Sequence, residues 1–213
     1  MKDSSPITQT DPGLPNAYAD FSRLSREGVA LSKFGFHTTN AQVFRFANRF
    51  KVASSFSGVE LRGYAEPTNR AYGALFRILL TCSAVEQYMT ISALQWHQIE
   101  ALLPDDRRLA CLTAVRGVDR EGRFFAAVRQ RTRHQELART IEECMNGQRN
   151  EVLPIVRAVR HGFAHGDLAP GANAAAPGVA QKLARFACPL LLGAIEQDFK
   201  RRVLAALVDP ARR

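Results

Sequence analysis

Helical periodicity runs through almost all of this 213-residue chain and constrains its fold more than any other feature. Between residues 69 and 95, apolar side chains recur three and four positions apart, a spacing that gathers them on one face of an α-helix. That face comprises Tyr72, Leu75, Phe76, Leu79, Cys82, Ser83 and Met89. No segment alternates apolar and polar residues over the length of a strand. The sequence therefore predicts an all-α fold.

Composition and periodicity together divide the chain into three parts. Residues 1–16 are rich in Pro, Ser, Thr and Asp and are predicted to form a flexible tail. Residues 17–66 form a predicted N-terminal helical extension, and residues 67–213 form the main helical domain, which is long enough to bury one sizeable core. The predicted helices, besides 69–95, are 17–32, 40–52, 105–116, 119–146, 150–165 and 179–208.

The chain is strongly basic, with 29 Lys and Arg residues against 20 Asp and Glu residues and a net charge of +9. Only five of those 29 basic residues are lysine. Planar guanidinium groups suit phosphate and base recognition better than ammonium groups, so the composition favours an acidic partner such as nucleic acid. A genome bias toward GC-rich codons would raise Arg and Ala together and explains the excess equally well.

The cysteines and the apolar segments indicate the cellular compartment. The four cysteines, Cys82, Cys111, Cys144 and Cys188, are too widely spaced for a metal-binding pair and are predicted to be reduced core residues. The N-terminus lacks the order of residues that is typical of a secretion signal. The apolar run at residues 186–195 is too short to span a bilayer. We therefore expect a cytoplasmic protein without a membrane partner.

Residues 160–166, RHGFAHG, carry the chemistry that most suggests a function. Arg160 can hold a phosphate through bidentate, charge-assisted hydrogen bonds, and a histidine such as His165 can move a proton near neutral pH. The segment follows an apolar stripe at helical spacing and ends at Gly166, a typical helix stop. The stripe comprises Val152, Val156, Val159 and Phe163.

The spacing of Arg160 and His165 is weak support by itself. With 24 Arg and 5 His residues in the chain, composition alone gives about 0.6 such pairs by chance. A second pair, Arg129 and His134, has the same spacing but lies in a polar run. That run is typical of a solvated helix face.

The RHGFAHG segment resembles the signature of the HEPN superfamily, in which an Arg is followed by a polar residue, three further residues and a His. Arg160, His161 and His165 fill these places, and Ala164 and Gly166 match the frequent Ala-His-Gly ending. The resemblance extends more loosely over residues 69–208. It implies a HEPN-like helical bundle carrying the N-terminal helical extension.

The HEPN resemblance also implies a function. Many members are metal-independent endoribonucleases of toxin or defence systems, and they act as homodimers that bring two motifs together. Others have lost catalysis and bind nucleic acid or a partner protein. The chain is therefore expected to cleave single-stranded RNA without a metal or other cofactor. An antitoxin or defence protein is the expected protein partner.

The expected mechanism assigns a role to each candidate residue. His165 would act as general base or acid for attack of the RNA 2′-hydroxyl on the adjacent phosphate, and Arg160 would stabilise the transition-state charge. His161 would assist by hydrogen bonding or proton relay. Glu86 interrupts the apolar stripe of residues 69–95 and needs a partner if buried. We expect it to orient Arg160, His161 or His165, and contact with solvent or another arginine at the edge of the stripe is the alternative.

A continuous helix would separate the two main residues of this mechanism. Residues five apart are rotated by about 140°, so Arg160 and His165 would not share a face. A helix that loosens at Gly162 or ends before His165 would relieve this. A two-fold dimer that pairs the motifs of two chains would do the same. The dimer interface is expected to involve residues 150–165 and 179–208, and each cleft is expected to be basic.

Two other site hypotheses use residues of this chain. His161 and His165, with Asp167, have the spacing of a two-histidine, one-carboxylate metal site. Residues 33–51 interleave basic and aromatic side chains, and Phe34, Phe36, Phe44 and Phe46 beside Arg45 and Arg49 could stack unpaired bases. Phenylalanines at helical spacing are more often core residues, so packing is the favoured interpretation for this stretch.

Overall fold

The structure, a computed structural model, describes residues 13–169 and 177–208. Helices account for 74% of these residues and strands for none, which confirms the all-α prediction. In chain order they are α1 (Tyr18–Arg26), a 3-10 helix (Leu31–Phe34), α2 (Asn40–Ser55), α3 (Glu66–Ser92), α4 (Trp96–Ala101), α5 (Asp105–Val118), α6 (Arg123–Arg131), α7 (Gln135–Met145), α8 (Leu153–Ala164) and α9 (Pro177–Val208).

Helices α3 and α9 form the centre of the fold and run in the same direction. Arg77 of α3 and Arg185 of α9 line one surface pocket. Further along both helices, the Tyr88 hydroxyl donates to the Asp198 carboxylate at 2.5 Å. Helix α8 packs on α3 in the opposite direction. Phe163 at the end of α8 contacts Phe76, with ring centroids 5.2 Å apart, whereas Arg160, earlier in α8, contacts Glu86, later in α3. Helix α2 covers α3, and α5 covers α9.

The Asp198 carboxylate anchors this arrangement from inside the protein. Its side chain is 2% exposed and accepts hydrogen bonds from Tyr88, Arg201 and Arg202. Arg202 also donates to the Gly35 carbonyl at 2.8 Å and so ties α9 to the turn after the 3-10 helix. Burial raises the pKa of Asp198, but the three hydrogen bonds outweigh it and leave the pKa below its ordinary value.

The N-terminal extension packs into the same core as the main domain. The core cluster is continuous from Phe21 to Ala206. Phe34, Phe36 and Phe46 are at most 2% exposed, and the rings of Phe36 and Phe46 each lie 5.5 Å from that of Phe199. The hypothesis that these three rings stack bases is therefore wrong, because a buried ring offers no free face.

The predicted tail contributes contacts at its C-terminal end. The Asn16 backbone N–H donates to the Glu196 side chain at 3.0 Å, and the Gly13 carbonyl accepts from Ser54 at 3.1 Å. Pro15 is buried. The rest of the predicted tail, residues 1–12, lies outside the described residues.

Most predicted helices are present, but three stretches differ from the prediction. The predicted helix 119–146 is two helices, α6 and α7, because Asp119 caps the first turn of α6 and His134 caps that of α7. The predicted helix 17–32 stops at Arg26, and a 3-10 helix follows. Helix α4 was not predicted, since six residues are too few to show a helical period.

The predicted apolar stripe of α3 is only part of its buried surface. Leu75 and Cys82 are buried, whereas Tyr72, Phe76, Leu79, Ser83 and Met89 are half-buried. Helices α2, α8 and α9 surround α3, so residues outside the predicted stripe, such as Ile78 and Tyr88, are fully buried as well.

Within the part of the chain that the structure describes, one helix is long and apolar enough to cross a membrane. It covers Gly178–Val208 and is identified by length and composition only. In its most apolar window, 56% of the residues are buried against the rest of the protein. The core helix of a soluble protein meets the same criteria, so this feature is weak support for a membrane span.

The four cysteines are predicted to be unreactive in the folded protein. All are buried and unpaired, as the sequence indicated. Burial raises the pKa of Cys111 to about 12 and the pKa values of Cys144 and Cys188 to about 11, so little thiolate exists at neutral pH. We expect a chromogenic disulfide reagent to detect no thiol in the native protein and four in denaturant. Rapid labelling of the native protein would contradict this burial.

Candidate functional site

Helix α8 carries the RHGFAHG segment, and a buried carboxylate fixes where this helix begins. Glu100 of α4 accepts hydrogen bonds from the backbone N–H groups of Val152 and Leu153 at 2.9 and 2.8 Å. Burial raises the pKa of Glu100 even though these donors and Arg108 oppose the shift. The helix dipole also stabilises a negative charge at the N-terminus of a helix. The cap thus ties the first turn of α8 to α4.

A glycine-dependent turn ends α8 within the RHGFAHG segment. The helix stops at Ala164, His165 is its C-cap, and Gly166 adopts a φ of +77°. This is a left-handed conformation that favours glycine. The chain then folds back, and the Leu168 N–H donates to the Gly162 carbonyl at 2.9 Å. A Cβ atom at Gly162 would lie 3.3 Å from the Leu168 Cβ, so the close return of the chain favours glycine there too.

Arg160 is paired with Glu86, which is one of the three pairings that the sequence left open for this carboxylate. Its Nη2 donates to the Glu86 Oε2 at 3.0 Å, and both side chains are 33% exposed. The Nε of Arg160 is buried and lacks a hydrogen-bond partner among the described residues. The pair joins α3 to α8 across 74 residues of sequence. Glu86 is therefore placed to orient the guanidinium.

The two histidines lie together at the exposed end of α8. The ring centroids of His161 and His165 are 4.3 Å apart, and the rings are tilted by 57°. Both residues are exposed. Their four-residue spacing at the end of α8 places the His165 ring beside that of His161. It does not place His165 in the cavity that Arg160 lines.

A cavity of about 980 Å³ lies between α3, α4, α7 and α8. Arg160, His161 and Glu86 line it, and His165 does not. Among its other lining residues are Trp96, His134 and Arg157. Four arginines and four glutamates line the cavity, so its charge is mixed within one chain: Arg133, Arg149, Arg157 and Arg160, with Glu86, Glu100, Glu136 and Glu151.

Sequence reasoning missed most residues of this cavity, among them Trp96, His134 and Arg157. Trp96 and Arg157 form a cation–π pair, with the guanidinium carbon 4.3 Å from the ring centroid. His134 belongs to the second, discounted Arg–His pair, yet it lies at the break between α6 and α7 and lines the cavity. Its Nδ1 accepts from the Leu137 N–H at 3.4 Å, which leaves the hydrogen of the neutral ring on Nε2. The sequence pattern did not show that α6 ends at Arg131, and this helix end is what places His134 at the cavity.

Arg129, the other residue of that second Arg–His pair, was predicted to lie on a solvated helix face. Arg129 forms a salt bridge with Glu142 at 3.0 Å, with about half of each side chain exposed. It therefore lies on a solvated surface.

The metal hypothesis finds no support in the residues 13–169 and 177–208. No group of three potential ligands from His, Cys, Asp and Glu forms in these residues. His161 and His165 are adjacent, but Asp167 does not complete a metal site with them. The chain turns at Gly166, and the Asp167 carbonyl accepts from Arg131 at 2.7 Å instead. Turn geometry thus separates residues that sequence spacing brought together.

No family model, curated protein or solved structure matches this chain.

Proposed function

We propose that this protein is a HEPN-like, metal-independent endoribonuclease that cleaves single-stranded RNA. The observation that carries the proposal is the arrangement at the end of α8. An acidic residue of another helix holds Arg160, and His161 lines the same cavity beside it. A second exposed imidazole, that of His165, lies 4.3 Å from the His161 ring. An oriented guanidinium and two accessible imidazoles supply charge stabilisation and proton transfer without a metal.

In this proposal each residue keeps one role. His165 acts as general base or acid for attack of the 2′-hydroxyl on the neighbouring phosphorus, which gives a 2′,3′-cyclic phosphate and releases a 5′-hydroxyl. Arg160 stabilises the negative charge of the transition state. His161 relays a proton or donates a hydrogen bond, and Glu86 positions Arg160. The reaction requires the 2′-hydroxyl, so DNA is not a substrate.

The site is completed in a homodimer. His165 lies outside the cavity of its own chain, whereas Arg160 and His161 of the same motif line that cavity. A two-fold axis near the exposed end of α8 would place the His165 of one protomer near the Arg160 of its partner. In light scattering, the active species would have about twice the 23.6 kDa mass of one chain. The biological role in this proposal is that of a toxin or defence ribonuclease.

Incubation with single-stranded RNA in EDTA tests the proposed activity. We expect cleavage products with 2′,3′-cyclic phosphate ends, because the reaction uses only groups of the protein and of the RNA. A DNA oligonucleotide of the same sequence is the control and should remain intact. Cleavage that depends on an added divalent metal, or equal cleavage of DNA, would overturn the proposed mechanism.

The second candidate function is a non-catalytic HEPN module that binds nucleic acid or a partner protein. The position of His165 favours it, since the cavity of a single chain contains Arg160 and His161 but not the proposed general base. Binding of RNA by a protein that leaves the RNA intact in the same assay would favour this candidate over the ribonuclease.

A further inference from the structure

Trp96 and Arg157 form a cation–π pair on the wall of the cavity, and no role in the proposed cleavage reaction involves them. The Arg157 guanidinium lies over the indole at 4.3 Å. Both side chains are half-buried and line the cavity. Trp96 is the only tryptophan of the chain. A guanidinium stacked on an aromatic ring presents a flat surface with hydrogen-bond donors at its edge.

Arg157 also differs from Arg149 and Arg160 in its charge balance. Arg160 pairs with Glu86, and Arg149 pairs with Glu143 and Glu151. In the described parts of the chain, no carboxylate lies within 4.0 Å of the Arg157 guanidinium. Burial lowers the pKa of Arg157, so its charge is partly desolvated, yet the group stays protonated. A half-buried cation without a direct counter-ion attracts an anionic ligand.

The size of the cavity limits what such a ligand can be. Its volume of about 980 Å³ falls within the range of pockets that enclose small ligands. A nucleotide of a single strand can place its base and phosphate in such a space. The bases of a duplex are stacked and paired, so a duplex offers no free base face without unstacking.

We propose that Trp96 and Arg157 form a subsite for one unpaired nucleotide of the RNA. The base stacks on the Trp96–Arg157 pair, and a neighbouring phosphate lies toward Arg160. This inference rests on the proposed function, because it assigns to the same cavity the part of the substrate that is held during cleavage. Recognition through stacking tolerates any base, so the subsite selects for single strands and not for a sequence.

The fluorescence of Trp96 provides a direct test. The probe is a short 2′-O-methyl uridine oligonucleotide, which has no free 2′-hydroxyl and is not cleaved by the proposed mechanism. Because Trp96 is the sole tryptophan, quenching on titration reports binding in this cavity. We expect saturable quenching by the single strand and none by the same strand annealed to its complement. Quenching that is equal for both, or absent, would overturn the subsite.

Matched variants separate stacking from bulk charge. Arg157→Gln is expected to weaken binding about 5- to 150-fold, the range that loss of one stacking group causes. Arg129→Gln removes the same charge from a surface residue outside the cavity and leaves the Trp96–Arg157 pair intact, and we expect a change of about twofold or less. Equal losses in the two variants would reduce the subsite to a general charge effect and overturn it.

A third variant keeps the test decisive if Arg157→Gln does not fold. Trp96→Leu removes the ring, and its binding is measured by fluorescence anisotropy of a labelled oligonucleotide, with a loss in the same range expected. The outcomes also separate this inference from the proposed function. Quenching without cleavage of normal RNA supports the subsite and overturns the ribonuclease, whereas cleavage without quenching does the reverse.

Discussion

Arg160→Ala and His165→Ala should each lower the rate of RNA cleavage by about 10²- to 10⁴-fold, the usual cost of removing a charge-stabilising or acid–base group. The measurement is the initial rate of cleavage of a labelled single-stranded RNA in EDTA. Arg129→Ala is the matched control, because Arg129 pairs with Glu142 on the surface and lies outside the residues that line the cavity. Full activity in both site variants would place the reaction elsewhere.

Mixing the two inactive variants tests whether the site is shared between two chains. If Arg160 of one protomer works with His165 of its partner, a mixed dimer has one intact site and one doubly altered site. Half of the dimers are mixed after random exchange, so we expect about a quarter of wild-type activity to return. No recovery, with subunit exchange shown by mass spectrometry of differently tagged chains, would contradict the shared site.

Glu86 provides a further variant in the same experiment, because it is a positioning residue. Glu86→Gln keeps a hydrogen-bond acceptor for Arg160 but removes the charge. It should therefore retain more activity than Glu86→Ala. Equal activity of the two variants would mean that the Glu86–Arg160 pair at 3.0 Å does not orient the guanidinium for catalysis.

Asp198→Ala should destabilise the protein by about 3–5 kcal/mol, as is usual when one partner of a buried ion pair is removed. The substitution leaves the Tyr88 hydroxyl and the Arg202 guanidinium without the carboxylate that they share. For a chain of this size the loss corresponds to a decrease in Tm of roughly 6–20 °C. Arg201→Ala is the control, because that side chain is 71% exposed, and we expect a change of about 1 kcal/mol or less.

The same carboxylate makes stability depend on pH in a defined direction. The pKa of Asp198 is lowered in the folded protein. Its contribution to stability is therefore fully present above its unfolded value, near 3.8, and is lost as the pH falls through the lower folded value. Chemical denaturation should show this acid loss in wild type and a smaller loss in Asp198→Asn. Parallel acid profiles for the two proteins would contradict the role of Asp198.

The sequence by itself determined the helical class and most helix positions, and it identified RHGFAHG as the segment with candidate site residues. These features depend on local spacing, such as the stripe that ends at Phe163 and the glycine at 166 that stops α8. The sequence also indicated that Glu86 needs a partner, because a carboxylate on an apolar stripe is costly to bury alone, but it left Arg160, His161 and His165 open as that partner.

Only the tertiary structure decided which residues share the cavity. Trp96, His134 and Arg157 come from three helix regions that approach one another through packing of α4, α7 and α8. His165 follows Arg160 by five positions, and the structure leaves it at the C-cap of α8 and outside the cavity that Arg160 lines. The burial of Phe36 and Phe46 was likewise set by packing against Phe199, which lies more than 150 residues away in the chain. Local periodicity is a property of neighbours in the sequence, whereas a cavity is formed by elements brought together when the core is buried.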